Sequence, residues 1–151
     1  RTEDMKEFRI FWLIMGICCL VGVSMPAWCE SDIASLTLQA NQGNTASQFL
    51  LGCMYQAGDG ILQDYKQAFT WFEKAANLGD AEAQLMLGLM YEDGEGVAQD
   101  YIEAHKWFNL SAAQGNESSR KSRDEISTKM TPSQIEKAQE LAKNWKPVKN
   151  D

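Results

Sequence analysis

Histidine is almost absent from this sequence, because His105 is the single histidine among 151 residues. Zinc sites usually combine several histidine and cysteine ligands, and a catalytic triad needs a histidine between a nucleophile and an acid. We therefore predict that the chain holds no metal ion, needs no cofactor and is not an enzyme. His105 itself is expected to be a partly exposed helix residue.

Basic side chains are scarce in the middle of the chain. Residues 30–116 contain twelve acidic and three basic side chains, whereas residues 117–151 contain six acidic and eight basic ones. The net charge of the whole chain is -7. Binding to nucleic acid needs a basic face for the phosphates, so we expect no nucleic-acid partner.

The sequence also lacks an apolar run long enough to cross a bilayer as a straight helix. The run at residues 10–23 has fourteen residues. A helix of that length spans about 21 Å, whereas the hydrocarbon core is about 30 Å thick. Met5, Lys6 and Arg9 precede the run and Pro26 follows it. This arrangement is typical of a secretory signal peptide.

We predict that residues 1–29 form a signal peptide, with Met5 as a candidate start and cleavage after Cys29. Signal cleavage prefers small residues close before the cut, as in the segment Ala27-Trp28-Cys29. The predicted product is exported to the periplasm or secreted. The alternative is an uncleaved membrane anchor reaching to Ala27, and only then do we expect contact with a membrane.

Export would leave a single cysteine in the mature chain, since Cys18, Cys19 and Cys29 belong to the predicted signal. The remaining Cys53 cannot form an internal disulfide without a partner. It aligns with Leu89 in the repeat described next, which favours a small buried hydrophobe over a reactive thiol.

Residues 45–80 and 81–116 are two copies of one 36-residue repeat that align without a gap. Fifteen positions are identical between the copies. A period in the thirties without a strand pattern is typical of stacked helix pairs. The identical pairs are Gln48/Gln84, Leu51/Leu87, Gly52/Gly88, Met54/Met90, Tyr55/Tyr91, Gly58/Gly94, Gly60/Gly96, Gln63/Gln99, Asp64/Asp100, Tyr65/Tyr101, Ala68/Ala104, Trp71/Trp107, Phe72/Phe108, Ala76/Ala112 and Gly79/Gly115.

Cap and turn residues place two helices in each copy. Gln67 and Glu103 stand three residues after predicted N-caps, which predicts capping boxes there. Gly79 and Gly115 end the second helices. The predicted N-caps are Asn44, Asp80 and Asn116 for first helices, and Asp64 and Asp100 for second helices.

The flanking segments fit the role of caps on the repeat stack. Residues 30–44 are predicted to be an N-terminal half repeat, and residues 117–151 a degenerate repeat followed by a capping helix. Ile126 and Met130 are the strong apolar residues of the degenerate repeat, and Thr131 with Gln134 predicts a capping box for the last helix. Stacked repeats need such polar terminal units to stay soluble.

The segment AQLMLGLMYEDGEGVAQDYIEAHKWFNLSAAQG, residues 83–115, resembles the Sel-one-like repeat, a relative of the tetratricopeptide repeat with a longer turn. The tail TPSQIEKAQELAKNWKP resembles the closing helix that often follows such repeats. The resemblance implies an all-α fold, a right-handed α/α solenoid of helix pairs with capping helices. It also implies an adaptor or regulator that acts through protein–protein contacts in bacterial envelopes or secretory organelles.

Repeated aromatic and glycine residues fit structural roles better than chemical ones. The glycines of the GDG and GEG turns are expected to need positive φ, and no strand precedes them as a dinucleotide-binding loop would require. The aromatic residues that recur at one place in each copy are predicted to form the core between helices, and they are Trp71, Phe72, Trp107 and Phe108.

One stripe of the first helices differs between the copies. First helices line the concave groove in tetratricopeptide-like solenoids, so the resemblance makes this stripe the candidate binding surface. An equally open alternative is that these side chains pack against a neighbouring helix. The stripe reads Ala46, Leu50, Cys53 and Ala57 in the first copy and Glu82, Met86, Leu89 and Asp93 in the second. The groove candidates are Leu50, Cys53, Glu82, Met86, Leu89 and Asp93.

The leading hypothesis is an exported, monomeric adaptor that binds a protein or peptide segment in a shallow groove. A rival hypothesis is an enzyme-like envelope protein acting on a cell-wall or β-lactam ligand. Ser118 to Lys121 matches its Ser-x-x-Lys motif, but the further motifs of that class do not follow. A third hypothesis is a membrane-anchored structural subunit, which requires residues 10–27 to be retained.

Overall fold

The computed structural model describes the backbone of residues 27–149 and the side chains of residues 32–149. This part of the chain contains seven α-helices and no strand. The chain divides into two compact units, residues 1–34 and 35–151. The described part of the first unit is residues 27–34, the start of the first helix. The helices are α1 (Ala27–Asn41), α2 (Thr45–Ala57), α3 (Tyr65–Asn77), α4 (Ala81–Asp93), α5 (Tyr101–Ala113), α6 (Glu117–Ser127) and α7 (Pro132–Asn144).

The predicted signal segment falls largely on residues 1–26, which lie outside the described residues. Helix α1 begins at Ala27 and therefore runs through the predicted cleavage position after Cys29. Within residues 27–149, no helix is both long enough and apolar enough to cross a membrane.

Each copy of the repeat forms one packed helix pair, α2 with α3 and α4 with α5. The pairs stack because α3 also packs against α4, and α5 packs against both α6 and α7. Helix α4 contacts α6 as well. Contacts between successive pairs are the defining feature of a solenoid, and the predicted all-α repeat fold is confirmed.

The first helix of each unit begins at the predicted cap. The side-chain oxygens of the caps accept a hydrogen bond from the backbone N–H group three positions further on. The distances are 3.0 Å for Asn44, 2.7 Å for Asp80 and 3.0 Å for Asn116. The ends of α2 and α4 also follow the sequence, because Gly58 and Gly94 adopt the left-handed conformation with φ of 72° and 73°. Glycine pays no steric penalty there, which explains the repeated turn.

The capping boxes predicted at the second helices are wrong. Asp64 and Asp100 do cap α3 and α5, each accepting two backbone hydrogen bonds. The N–H groups of these caps, however, donate to the carbonyls of Tyr55 and Tyr91 in the preceding helices, both at 2.9 Å. With the cap N–H already bonded, the side chain of residue N3 has no donor to accept from, and Glu103 pairs with Lys106 instead. The box at Thr131 and Gln134 is complete, as predicted.

The aromatic core between the helices is confirmed. Phe72 and Phe108 are 0% exposed, and Trp71 and Trp107 are 7% and 4% exposed. Each phenylalanine ring lies directly against a glycine of the first helix in the same copy. A Cβ on Gly52 would lie 2.6 Å from the Phe72 ring, and a Cβ on Gly88 would meet the Phe108 ring in the same way.

The turn between α4 and α5 lies against the start of α3 in the preceding copy. Gly96 has a φ of 71°, and a Cβ there would come within 2.6 Å of the Tyr65 carbonyl carbon. Only glycine combines this backbone conformation with such a close approach. The separation of the two repeats is therefore set at this point by contact between two backbones.

We expect replacement of Gly52 by alanine to lower the free energy of unfolding by about 1–3 kcal/mol, as overpacking does in tight cores. The collision with the buried Phe72 ring outweighs the roughly 0.5–1 kcal/mol that alanine contributes through helix propensity. Urea unfolding followed by far-UV circular dichroism measures the change. Ser118→Ala, on an exposed position of α6, is the control and should change stability by less than about 0.5 kcal/mol. Equal stability of the two variants would contradict the contact.

Candidate binding groove

The predicted groove residues lie on two first helices. Leu50 and Cys53 belong to α2, and the other four belong to α4. Leu50 is 49% exposed, which is high for a leucine in a packed helix pair. Glu82 and Asp93 are exposed near the two ends of α4.

The remaining three groove residues are half-buried. Cys53 and Met86 pack against the buried cluster that includes Phe72 and Leu87. Leu89 packs against the cluster that includes Phe108 and Ile126. These three side chains thus combine partial exposure with a packing role, and their use in binding stays a prediction.

Helix α6 continues the same stripe, which the sequence interpretation missed. Adding one further period of 36 residues to the positions on α4 gives Ser118, Ser122, Glu125 and Lys129. Ser118, Ser122 and Glu125 lie on α6, and Lys129 lies two residues after its end. Helix α6 contacts α4, which brings this segment beside the stripe. The same numerical offset would have found them, but the weak apolar pattern of residues 117–130 made the segment look like a cap alone.

Polar contacts connect α4 with the residues just before and just after α6. Lys129 Nζ lies 2.9 Å from Glu92 Oε1, and this hydrogen bond raises the pKa of Lys129, with a further contribution from Asp93. Asn116 Nδ2 donates to Glu82 Oε1 at 2.8 Å. Both ion pair and hydrogen bond are exposed and add little stability. Their effect is to hold the charged side chains of Glu82 and Lys129 in defined positions along the stripe.

Cys53 fits the hydrophobic interpretation. Burial raises the pKa of its thiol, and a hydrogen bond with its own backbone only partly opposes this effect. The reactive form of cysteine is the thiolate, so a raised pKa makes the side chain less nucleophilic at neutral pH. Cys53 is a free cysteine in the described part of the chain.

The expectation that His105 is partly exposed is wrong, because the side chain is only 2% exposed. Helices α6 and α7 both pack against α5, and no local sequence pattern predicts that they cover this position. Burial lowers the pKa of His105, and the positive charge of Arg123 lowers it further, while Asp124 partly offsets both. The imidazole is therefore neutral at physiological pH and serves as a core residue.

The Ser-x-x-Lys motif lies on the surface of α6, where Ser118 and Lys121 are both exposed. The neighbouring Ser119 is the buried serine, and its hydroxyl donates to Ser111 Oγ at 2.7 Å. Across residues 32–149, no group of three or more His, Cys, Asp or Glu side chains is placed to hold a metal ion.

The helix-pair geometry matches a known repeat. The Sel1 repeat family matches residues 45–80 and 81–116, which are the two copies found in the sequence. The chain carries two Sel1 repeats. Sel1 repeats are generally protein–protein interaction modules and are typically non-catalytic scaffolds.

Two solved structures share the Sel1-like fold. One is a protective antigen of uropathogenic Escherichia coli that displays an SLR fold, with 33% sequence identity and a TM-score of 0.72. The match covers 75% of this chain and 24% of the antigen. A Sel1 repeat protein from Oxalobacter formigenes is 35% identical, covers 58% of this chain and 36% of its own, and has a TM-score of 0.56. The chain thus spans about a quarter and about a third of these two proteins. The comparison with curated proteins found no match.

The buried His105 predicts a pH dependence of stability in this Sel1-repeat chain. In the unfolded chain the imidazole takes up a proton near pH 6.5, whereas in the folded chain its pKa is lower. Above about pH 6.5 the neutral imidazole does not reduce the free energy of unfolding. As the pH drops through that value the free energy of unfolding falls, because the unfolded state binds more protons. We expect a lower urea midpoint at about pH 5.5 than at about pH 7.5.

His105→Phe provides the matched control, since Phe69 occupies this position in the first Sel1 repeat. The variant should lose the part of the pH dependence that comes from the imidazole, while carboxylates contribute equally to both proteins. Identical pH profiles for the parent and the variant would show that His105 is not held neutral by burial.

Proposed function

We propose that the chain is an exported adaptor or regulator that binds a protein or peptide segment along the stripe of its first helices. The observation that carries this proposal is the exposed side chain of Leu50 at a position where the two copies differ. Positions required for the fold are repeated, as the buried Leu51/Leu87 pair illustrates. A half-exposed leucine on a first helix therefore has no evident structural purpose and is suited to contact a partner.

Charge narrows the chemistry of the proposed partner. Helix α2 has no charged residue, whereas Glu82 and Asp93 stand near the ends of α4. At about 1.5 Å per residue, these two carboxylates are roughly 16 Å apart along the helix. Half-buried Met86 and Leu89 lie between them. An extended or helical segment with apolar side chains and basic flanks complements this arrangement.

The proposed role is binding without catalysis, and the protein is proposed to act as a monomer. The non-catalytic character of Sel1 repeats in general supports this. The exposed position of Ser118 on a helix surface also gives the rival β-lactam-type hypothesis no enclosed site for a substrate. An apolar stripe flanked by acids is a feature of recognition, so the adaptor is the function favoured here.

Export to the periplasm or outside the cell is the proposed location. It rests on the basic residues before the apolar run at residues 10–23 and on the small residue Ala27 three positions before the proposed cut. An anchored protein that keeps this run is the competing possibility, and the two differ in mass.

The Leu50→Asp variant tests the groove. A photo-crosslinking residue placed at position 46, also exposed on α2, should capture a distinct partner band in cells that express the full chain. We expect Leu50→Asp to reduce that band at least tenfold, because a buried unpaired carboxylate at an apolar contact costs several kcal/mol. Far-UV circular dichroism should show unchanged helix content, since Leu50 is 49% exposed.

Leu62→Asp is the matched control for this variant. Leu62 is 87% exposed in the turn between α2 and α3, off the stripe, so the same change in chemistry should leave the crosslink intact. Equal loss in both variants, or no loss in either, would reject the stripe as the binding surface.

The proposed cleavage is tested by the intact mass of the protein recovered from the host. The expected mass is that of a chain beginning at Glu30, which would shorten α1 by its first three residues. Recovery of a chain that begins at Met5 would instead support the anchored alternative.

A further inference from the structure

The two repeats differ in how they satisfy one shared buried glutamine. Gln48 and Gln84 occupy the same position and are 5% and 0% exposed. Each donates from its side-chain nitrogen to a backbone carbonyl, Gln48 to Ala40 at 2.9 Å and Gln84 to Ala76 at 3.2 Å. The donor half of the amide is thus used in the same way in both copies.

The acceptor half of the amide, the oxygen Oε1, is satisfied differently in the two copies. Gln84 Oε1 accepts a hydrogen bond from Gln114 Nε2 at 2.9 Å. The residue at the matching position in the first copy is Leu78, which has no side-chain donor. Within the described part of the chain, no protein group donates to Gln48 Oε1. The oxygen itself is buried. A buried acceptor without a donor costs about 1–3 kcal/mol, so an N–H or O–H group that reached it would be stabilised.

Gln48 lines a cleft formed by α2, the end of α3 and the segment after α7. Its volume is ≈ 240 Å³, and its lining residues are Gln48, Lys74, Asn77, Leu78 and Val148. The volume is several times the roughly 30 Å³ that one water occupies in the liquid. It is below the roughly 300–1,000 Å³ of pockets for drug-sized ligands, so the cleft has room only for a small ligand.

The segment after α7 closes one side of this cleft. Val148 N–H donates to the Asn77 carbonyl at 2.8 Å, and the ring of Trp145 meets the ring of Trp107 edge to face at 6.1 Å. Trp145 is partly buried against the main core. The wall is therefore held by one backbone hydrogen bond and one aromatic contact.

The charged residue that lines the cleft is a cation, Lys74, in contrast to the acidic body of the chain. Lys74 Nζ lies 3.9 Å from the centre of the Trp71 ring, which holds the ammonium group beside the cleft. Lys146 and Lys149 flank Val148 in sequence and are exposed. The second copy has Leu110 in place of Lys74. Lys74 and Leu78 thus bring a cation and remove the side-chain donor that Gln114 supplies, while Asn77 stands where the second copy has Ala113.

We propose that this cleft binds the carboxylate and amide N–H of an N-acylated amino acid. The amide N–H donates to Gln48 Oε1, the carboxylate pairs with Lys74, and a small apolar side chain contacts Leu78 and Val148. The same chemistry occurs in a free acylated amino acid and at the carboxyl terminus of a peptide. None of the six groove residues lines the cleft, so this site is independent of the function proposed above.

The test is an NMR titration of the full-length 15N-labelled chain with N-acetyl-alanine. We expect saturable shifts of the Gln48 side-chain amide and of the Val148 backbone amide. N-acetyl-alanine amide, which lacks the carboxylate, should bind at least about tenfold more weakly, as a lost charge-assisted hydrogen bond predicts. Equal binding of the two probes, or no shift of either amide, would overturn the proposal and leave the cleft to water.

The second repeat supplies matched variants. Leu78→Gln copies Gln114 and should occupy Gln48 Oε1 from within the chain, and Lys74→Leu copies Leu110 and removes the cation. Each should weaken binding of N-acetyl-alanine at least about tenfold. Leu62→Gln, in the exposed turn, should leave binding unchanged. Cooperative thermal unfolding shows that the two cleft variants fold, and Leu78→Gln should unfold at a higher temperature because Gln48 Oε1 gains a donor. Undiminished binding by both variants would contradict the site.

A peptide probe separates the two sources of the ligand. Acetyl-Gly-Gly-Ala with a free carboxylate presents the same terminal residue with more chain in front of it. Tighter binding than N-acetyl-alanine identifies a peptide terminus as the ligand, and weaker binding identifies the free acylated amino acid. We expect Lys74→Leu to lose binding of both probes. If Lys74→Leu binds both probes as tightly as the parent protein does, the site is rejected.

Discussion

The contact between a helix glycine and a phenylalanine ring is the constraint on which each repeat depends. Gly52 and Gly88 leave no space for a side chain between the first helix and the fully buried rings of Phe72 and Phe108. The two helices of a pair can therefore approach closely and exclude water from the ring faces. Burying a phenylalanine contributes about 1.5–3 kcal/mol, so two such rings supply a substantial part of the stability of a small domain.

Local signals predicted most of the fold, and contacts distant in sequence account for the errors. Helix starts, glycine turns and the aromatic core depend on residues near one another, and the repeat displays each signal twice. The capping boxes failed because Tyr55 and Tyr91 carbonyls, nine residues before the caps, already accept the relevant N–H groups. His105 was misjudged because the helix that covers it, α6, has a mostly polar sequence. The residues around position 105 do not show that a polar helix distant in sequence packs over it.

The stripe lies at positions where the repeats differ, whereas the cleft combines the shared Gln48 with neighbours that differ between the copies. Shared positions such as Leu51/Leu87 maintain the stack, so positions that differ are the first to consider for binding. The stripe follows from the comparison of the two copies together with the resemblance to tetratricopeptide-like solenoids. The cleft could not, because it requires the segment around Val148 to return to α3, and only the folded chain shows that Gln48 lacks the partner that Gln84 has.

The close approach of Gly96 to the Tyr65 backbone has a mechanical consequence for recognition. Side-chain contacts can adjust by changing rotamers, but two backbones in contact leave no such slack, so the step from one repeat to the next is stiff. Leu50 and Met86 occupy the same position in successive repeats, so the distance between them along the proposed stripe is fixed by this step. A partner must match that interval, and a longer partner requires additional repeats, because the existing ones cannot stretch.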